Sequence, residues 1–405
     1  MSALHKTTGP LIILMINMFI AMLGIGLIIP ILPDFLEEFG AGGQTAGYLI
    51  AATGLTQFIF SPLVGEMSDK RGRKIMIVTG LALFTLSQVL FATADAIWLL
   101  YVSRLLGGIG AAAMIPPMMA FVADITTEEE RGKGMGMLGA AMSLGFVIGP
   151  GIGGFLAGVS LRTPLYVSAA VAGIALILSL LVLPETLTKE KQLAARSHGV
   201  KRENIFKQFI MSAKAPYFVP LILVFTLTLG LMNFEAIFPL YAKNRYIFSP
   251  EQISVVITVG ALAGTVIQAV VIDKVLRRFG EVKLISVSFL AAAICMVLLL
   301  LSGNFWYVLG ISLLFFIFTA IMRPAINTLL SKMAGEEQGF VAGMNNAYMS
   351  IGNIIGPAIA GNLFDIQMNI PYLFGAVILV LGVFLCTAWA ARRNPSSAQT
   401  AAVQK

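Results

Sequence analysis

The sequence predicts an all-α polytopic membrane protein with twelve transmembrane helices in two pseudo-symmetric six-helix bundles. Three observations lead there. Of its 405 residues 58% are hydrophobic and only 12% charged, with a mean hydropathy of +0.89, whereas a soluble domain carries about 25% charged residues. Apolar stretches of about 20 residues, enough to cross a bilayer, recur from end to end. The second half also repeats landmarks of the first. This composition excludes an ordinary soluble enzyme. Nor does the net charge of +7 point to nucleic acid, because the positive residues sit in short clusters between apolar spans and not on the face of a folded domain.

Hydropathy places the first six spans at about 11–32, 46–67, 75–94, 97–122, 134–157 and 164–183. The first is too long for a signal-peptide core and lacks a small-residue cleavage site, so it is expected to remain as a helix. The connection 184–214 carries seven basic and three acidic residues. Within it Ile205, Phe206, Phe209 and Ile210 form an apolar stripe at helical spacing beside Lys207 and Lys214. That pattern suits either a short helix on the membrane surface or a solvated linker. Six further spans follow at about 217–241, 251–272, 283–301, 305–330, 340–363 and 371–391. The expected organisation is an N-terminal bundle 1–183, a linker 184–214, a C-terminal bundle 215–395 and a tail 396–405.

Charge sets the expected orientation. With a cytoplasmic N-terminus, 22 of the 27 lysines and arginines fall on the cytoplasmic side, Arg162, Lys243 and Arg245 fall outside, and Arg104 and Arg323 lie within spans. Both termini are therefore expected in the cytoplasm. Cys295 and Cys386 each sit in an apolar stretch, and His5 and His198 are far apart, so no disulfide framework, metal site or catalytic triad is expected. No Walker-type glycine loop is present, which argues against ATP hydrolysis and, with the absence of clustered acids and histidines, against an enzyme.

The repeat holds a nearly constant offset: Pro33 matches Pro239, Asp69 matches Asp273, Pro116 matches Pro324 and Pro150 matches Pro357, at shifts of 206, 204, 208 and 207. GFVIGPGIGG at Gly145–Gly154 returns as GNIIGPAIAG at Gly352–Gly361. An even number of helices per half makes these parallel repeats, an arrangement found in transporters whose two bundles rock about a site near the midplane.

Between the second and third spans, GEMSDKRGRK runs from Gly65 to Lys74. Gly72 permits a sharp reversal, and Asp69 at the membrane boundary needs a cationic partner. Arg73 and Asp124 are the expected members of a salt-bridged latch that breaks when the bundles move. Gly145, Gly149, Gly153 and Gly154 clear a groove along the fifth span, while Pro150 frees a carbonyl, predicting a close-packed seam between bundles. Arg104 and Arg323 are costly within apolar runs unless they meet a cavity or a partner.

Glu235 stands apart, because every other acid falls at a span end or in a loop. It lies about 9 Å from the middle of the seventh span at 1.5 Å per residue. Sequestered from water, a bare carboxylate is disfavoured, so the group can take up a proton and surrender it when a lipophilic cation arrives. A Glu permanently paired with Arg323 or Asn233 is the competing structural reading.

These motifs resemble the major facilitator superfamily, and within it the twelve-helix drug:proton antiporters. GEMSDKRGRK looks like the superfamily's loop 2-3 signature, RLLGGIGAA at Arg104–Ala112 like its helix 4 motif, and GFVIGPGIGG like the antiporter helix 5 motif. LGIGLIIPILP at Leu23–Pro33 and IMRPAI at Ile321–Ile326 further resemble the NorA and Bmr type of multidrug efflux pump. The resemblance implies a bacterial plasma-membrane antiporter, acting as a monomer, that expels dyes, fluoroquinolones and quaternary ammonium compounds with protons as coupling ion and no other cofactor. It implies roles for Arg104 and Arg323 in proton coupling beside Glu235, and a drug pocket that includes Met22, Gln57, Phe146 and Phe316. Asn346 joins these as a sparse polar group. Some relatives carry a second carboxylate three residues before the helix 10 arginine, where this chain has Ala320; Asp34 is the substitute considered. An exporter of a sugar, peptide or endogenous metabolite is the alternative on the same scaffold.

Overall fold

The computed structural model describes residues 2–190, 192–193 and 205–393. His198 and the tail 396–405 lie outside them, as do the side chains of His5, Ile205, Phe206 and Asp273. The helices are α1 (Ser2–Ile28), α2 (Leu32–Glu37), α3 (Gly43–Arg71), α4 (Arg73–Ala92), α5 (Ile97–Ile125), α6 (Glu128–Ala157) and α7 (Thr163–Val182). After these come α8 (Ile205–Lys214), α9 (Phe218–Glu235), α10 (Phe238–Tyr246), α11 (Pro250–Val266), α12 (Ile272–Phe279), α13 (Glu281–Leu299), α14 (Phe305–Ala334), α15 (Gln338–Ile366) and α16 (Ile370–Arg393). A π-helical stretch, Ile267–Val271, joins α11 to α12.

Among the described residues, eleven helical segments are long and apolar enough to cross a membrane. The 29-residue α15 is as long as the others, but Asn345, Asn346, Asn353 and Asn362 dilute its hydropathy. Along α7 the residues Ile174, Ile177 and Leu181 are 57%, 58% and 77% exposed. So continuous an apolar surface is sustainable only if lipid covers it.

By its contacts the chain divides into two units, residues 1–201 with 248–258, and residues 202–247 with 259–405. The first has a core of Leu14, Met18, Phe84, Met114, Met118 and Phe121. Lipid tails give helices no hydrophobic reason to associate, so close packing and buried hydrogen bonds must hold them. Asn17 Nδ2 donates to Ser179 Oγ at 2.8 Å, joining α1 to α7. Gln88 Nε2 on α4 donates to the Gly24 carbonyl (3.2 Å) and to Ser168 Oγ (2.6 Å), joining three helices.

In the second unit α8 forms over the predicted amphipathic stretch and packs on α15, where Phe209 meets Tyr348 at 5.1 Å and Ser212 Oγ lies 3.1 Å from the Tyr348 hydroxyl. The seventh span, expected as one helix, is instead broken between Glu235 and Phe238. Proline supplies no N–H, and the partner Pro239 would have served four residues back is the carbonyl of Glu235 itself. Pro33 does the same to Ile29, between the end of α1 and α2. The first pair of repeat landmarks is thus a pair of matching helix breaks.

Candidate functional site

In the first unit α3 ends at Arg71 and the chain reverses at Gly72, whose φ of 112° and ψ of 152° favour glycine. The turn brings Arg73 back onto the end of α3. Its Nη1 lies 2.6 Å from Asp69 Oδ1 and donates to Ser68 Oγ at 3.0 Å, while Nε donates to Asp124 Oδ2 at 3.2 Å. Gly65 lies two turns earlier on α3. Asp69, Arg73 and Asp124 are therefore in contact.

Two residues that the sequence reading passed over complete this cluster. Glu185 Oε1 and Oε2 accept from the backbone N–H groups of Arg73 (2.9 Å) and Lys74 (3.1 Å), capping α4 with a carboxylate. Thr186 Oγ1 donates to Asp124 Oδ2 at 3.0 Å. Both residues fall at the start of the expected linker 184–214, where nothing local in the sequence names a partner. Chain reversal 112 residues earlier gives Glu185 its partner.

The glycine motif packs on two helices: the expected contact with the C-terminal bundle is made where Gly151 meets Thr258 and Gly154 meets Ser254, both on α11, and the longer seam runs along α1. A Cβ on Gly149 would lie 2.8 Å from Gly26 Cα, and one on Gly153 would lie 2.9 Å from Leu27 Cα. Gly145 likewise faces Leu23 N and Met22 Cβ, each at 3.0 Å. The backbones of α1 and α6 thus touch along three turns, and Gly154 faces Ser254 in the 248–258 stretch of the same unit. Two expected pocket residues lie on these two packed helices: Met22 on α1 is buried, and Phe146 on α6 is 37% exposed.

Arg104 lies on α5 with its guanidinium carbon 4.0 Å above the Phe91 ring, and its buried Nη2 has no hydrogen-bond partner among the described residues. Asp34 lies in the first turn of α2. Gln57 is half-buried on α3, its carbonyl accepting from Ser61 Oγ at 2.6 Å.

In the second unit Glu235 is the last residue of α9 and half-buried. No hydrogen bond or ion pair holds its carboxylate among the described residues; the charge acting on it is that of Arg323, on α14. Asn233 makes no hydrogen bond to it: Nδ2 donates to the Leu229 carbonyl at 2.8 Å, and Oδ1 is buried without a partner among the described residues. Of the two partners in the competing paired reading, Arg323 acts on Glu235 through its charge and neither makes a hydrogen bond to it among the described residues. Beside Glu235, Phe234 stacks on Phe315 (4.2 Å) and Phe238 (5.2 Å) and meets Phe316 edge-on at 5.7 Å. Phe316 is seated against α11, where a Cβ on Gly260 would lie 2.8 Å from its Cε2. Asn346 lies on an exposed face of α15.

A profile described as the Major Facilitator Superfamily matches residues 14–271 and 220–405. The chain belongs to the major facilitator superfamily. Within the superfamily it is similar to multidrug resistance protein 1 of Bacillus subtilis, 42% identical over 96% of this chain and 98% of that one. Multidrug resistance protein 2 of the same organism is 40% identical over 96% of each chain. The quinolone resistance protein NorA of Staphylococcus aureus is 36% identical over 92% of this chain and 94% of its own. Among solved superfamily folds, the nucleoside transporter NupG aligns over 94% of this chain and 98% of its own with a TM-score of 0.74 at 14% identity, a likeness of fold.

Proposed function

We propose that this protein exports lipophilic, mostly cationic drugs across the bacterial plasma membrane in exchange for protons, by alternating access, with both termini cytoplasmic. The observation that carries the proposal is Glu235, an acid at a helix break inside an apolar segment with no hydrogen bond or ion pair on its carboxylate among the described residues. An ion in such surroundings is unstable alone, so the carboxyl is protonated when the site is empty and ionised when a cation lies against it. Drug and proton then compete for one group, and exchange follows from the competition.

Several arrangements support this reading. Phe316, half-buried and edge-on to the buried Phe234 that precedes the acid, supplies an aromatic surface suited to flat cations. Met22 and Phe146 supply an adaptable apolar patch on the first unit. The Asp69–Arg73–Asp124 cluster, capped by Glu185, is the latch whose charges must rearrange as the bundles move. Names borne by the relatives, multidrug and quinolone resistance, favour drugs over an endogenous metabolite. The test is pH-gradient-driven ethidium uptake into everted vesicles, where export from the cytoplasmic face runs inward. Glu235→Gln should abolish gradient-driven export, and export equal to wild type would remove Glu235 from the mechanism.

A further inference from the structure

Arg162 is one of three basic residues on the side that the charge distribution leaves nearly free of them, and the structure shows what occupies it. It precedes α7. Nη1 donates to the carbonyls of Ala92 (2.7 Å) and Ala94 (3.0 Å), just where α4 ends, and Nη2 donates to Glu38 Oε2 at 3.1 Å, just after α2. The same guanidinium carbon sits 5.2 Å over the ring of Phe35. Phe35, fully buried, stacks on the fully buried Phe91 at 5.1 Å and 22°. The other partner of Phe91 is Arg104, at 4.0 Å.

A ring has two faces. With Phe35 and Phe91 occupying each other's inner faces, the two guanidinium groups take the outer ones, giving a column in the order Arg104, Phe91, Phe35, Arg162. A carboxylate would hold Arg104 equally well but would cancel its charge. An aromatic face attracts the cation without neutralising it, and no acid pairs with Arg104 among the described residues. Its charge is thus kept whole.

We propose that Phe91, Phe35 and Arg162 are positioning residues for Arg104, holding an uncompensated cation at a fixed place in the first unit so that it can act in proton coupling. The proposal rests on the reading of the protein as a proton-coupled exporter that uses Arg104. Arg162 anchors the far end of the column by tying Phe35 to the end of α4, which also carries Phe91.

The experiment compares purified full-length variants in proteoliposomes by two measurements, ethidium export driven by a pH gradient and ethidium exchange without one. A merely structural role would depress both together. Phe91→Leu keeps bulk but removes the π face, and should lower gradient-driven export by about 3- to 30-fold, the loss of one desolvated cation–π contact, while exchange persists. Phe91→Tyr should restore export. Arg162→Lys, which keeps the charge but not the planar face, should shift the ratio the same way and decides the matter if Phe91→Leu fails to fold. Equal loss of both activities, failure of Phe91→Tyr to restore export, or an unchanged ratio in Arg162→Lys would overturn the proposal. Wild-type export by Arg104→Gln would overturn the underlying role of Arg104, whereas loss in Arg104→Gln with none in Phe91→Leu overturns the positioning role alone.

Discussion

Alanine at Gly149 tests whether the α1–α6 seam is held by backbone contact. The new Cβ would lie 2.8 Å from Gly26 Cα and 2.9 Å from the Leu23 carbonyl oxygen, where carbon pairs rest at about 3.5–4.0 Å. Both neighbours are backbone, so no rotamer change relieves the overlap and the two helices must separate by about 0.7 Å. Overpacking of this kind costs about 1–3 kcal/mol. Against it stands the helix preference of alanine over glycine, about 0.5–1 kcal/mol. Net destabilisation of up to about 2.5 kcal/mol follows. Gly139 supplies the control: it lies on the same helix with nothing within 4 Å of a Cβ, so Gly139→Ala keeps the propensity gain without the overlap. Thermal unfolding of the detergent-solubilised protein should therefore rise for Gly139→Ala and fall for Gly149→Ala. Equal or greater stability of Gly149→Ala would refute the reasoning, because the seam would then tolerate a side chain.

Gly72→Ala and Gly280→Ala both place a side chain at positive φ, 112° and 75°, but only at Gly72 does the Cβ meet a neighbour, the Glu185 carboxyl carbon at 2.8 Å. Gly72→Ala should unfold at the lower temperature, and adding Glu185→Ala should recover part of the difference, less the loss of a helix cap worth about 0.5–2 kcal/mol. Exchange through one carboxyl predicts one proton for one monovalent cation, which moves no net charge; a valinomycin-set potential alone should then fail to drive ethidium export from proteoliposomes, and success would require a second coupling group. At the start of α9, burial and the hydrogen bond to Glu337 (2.6 Å) raise the Tyr217 hydroxyl from 10.0 to about 12. Because the folded-state value is raised, this contact stabilises fully below pH about 10 and is lost as pH climbs through about 12. Unfolding temperature measured across that window should fall more steeply for wild type than for Tyr217→Phe, and parallel curves would contradict the assignment.

Much of this protein was legible in its sequence, because a bilayer dictates element length and composition locally. Apolar runs had to be helices, since each helix satisfies its own backbone. Glu235 and Arg104 stood out by residue type alone, as charges in an apolar setting. Arg73 with Asp69 and Asp124 could be paired from the cost of leaving a boundary acid unmatched. Which surfaces meet was another matter. The glycines of α6 announced a close approach, but nothing in GFVIGPGIGG says that the neighbour is α1. Glu185 reads as a loop acid until a distant reversal at Gly72 presents two N–H groups to it. Phe91 and Phe35 are two phenylalanines among 27, and Arg162 breaks a charge rule; they become a column only when four chain segments converge. Helices, their repeat and the rare charges could be read one residue at a time, because they follow from each residue's own transfer free energy. Tertiary structure alone decided the partners, because hydrogen bonds, ring stacks and glycine seams act over a few ångströms between residues far apart along the chain.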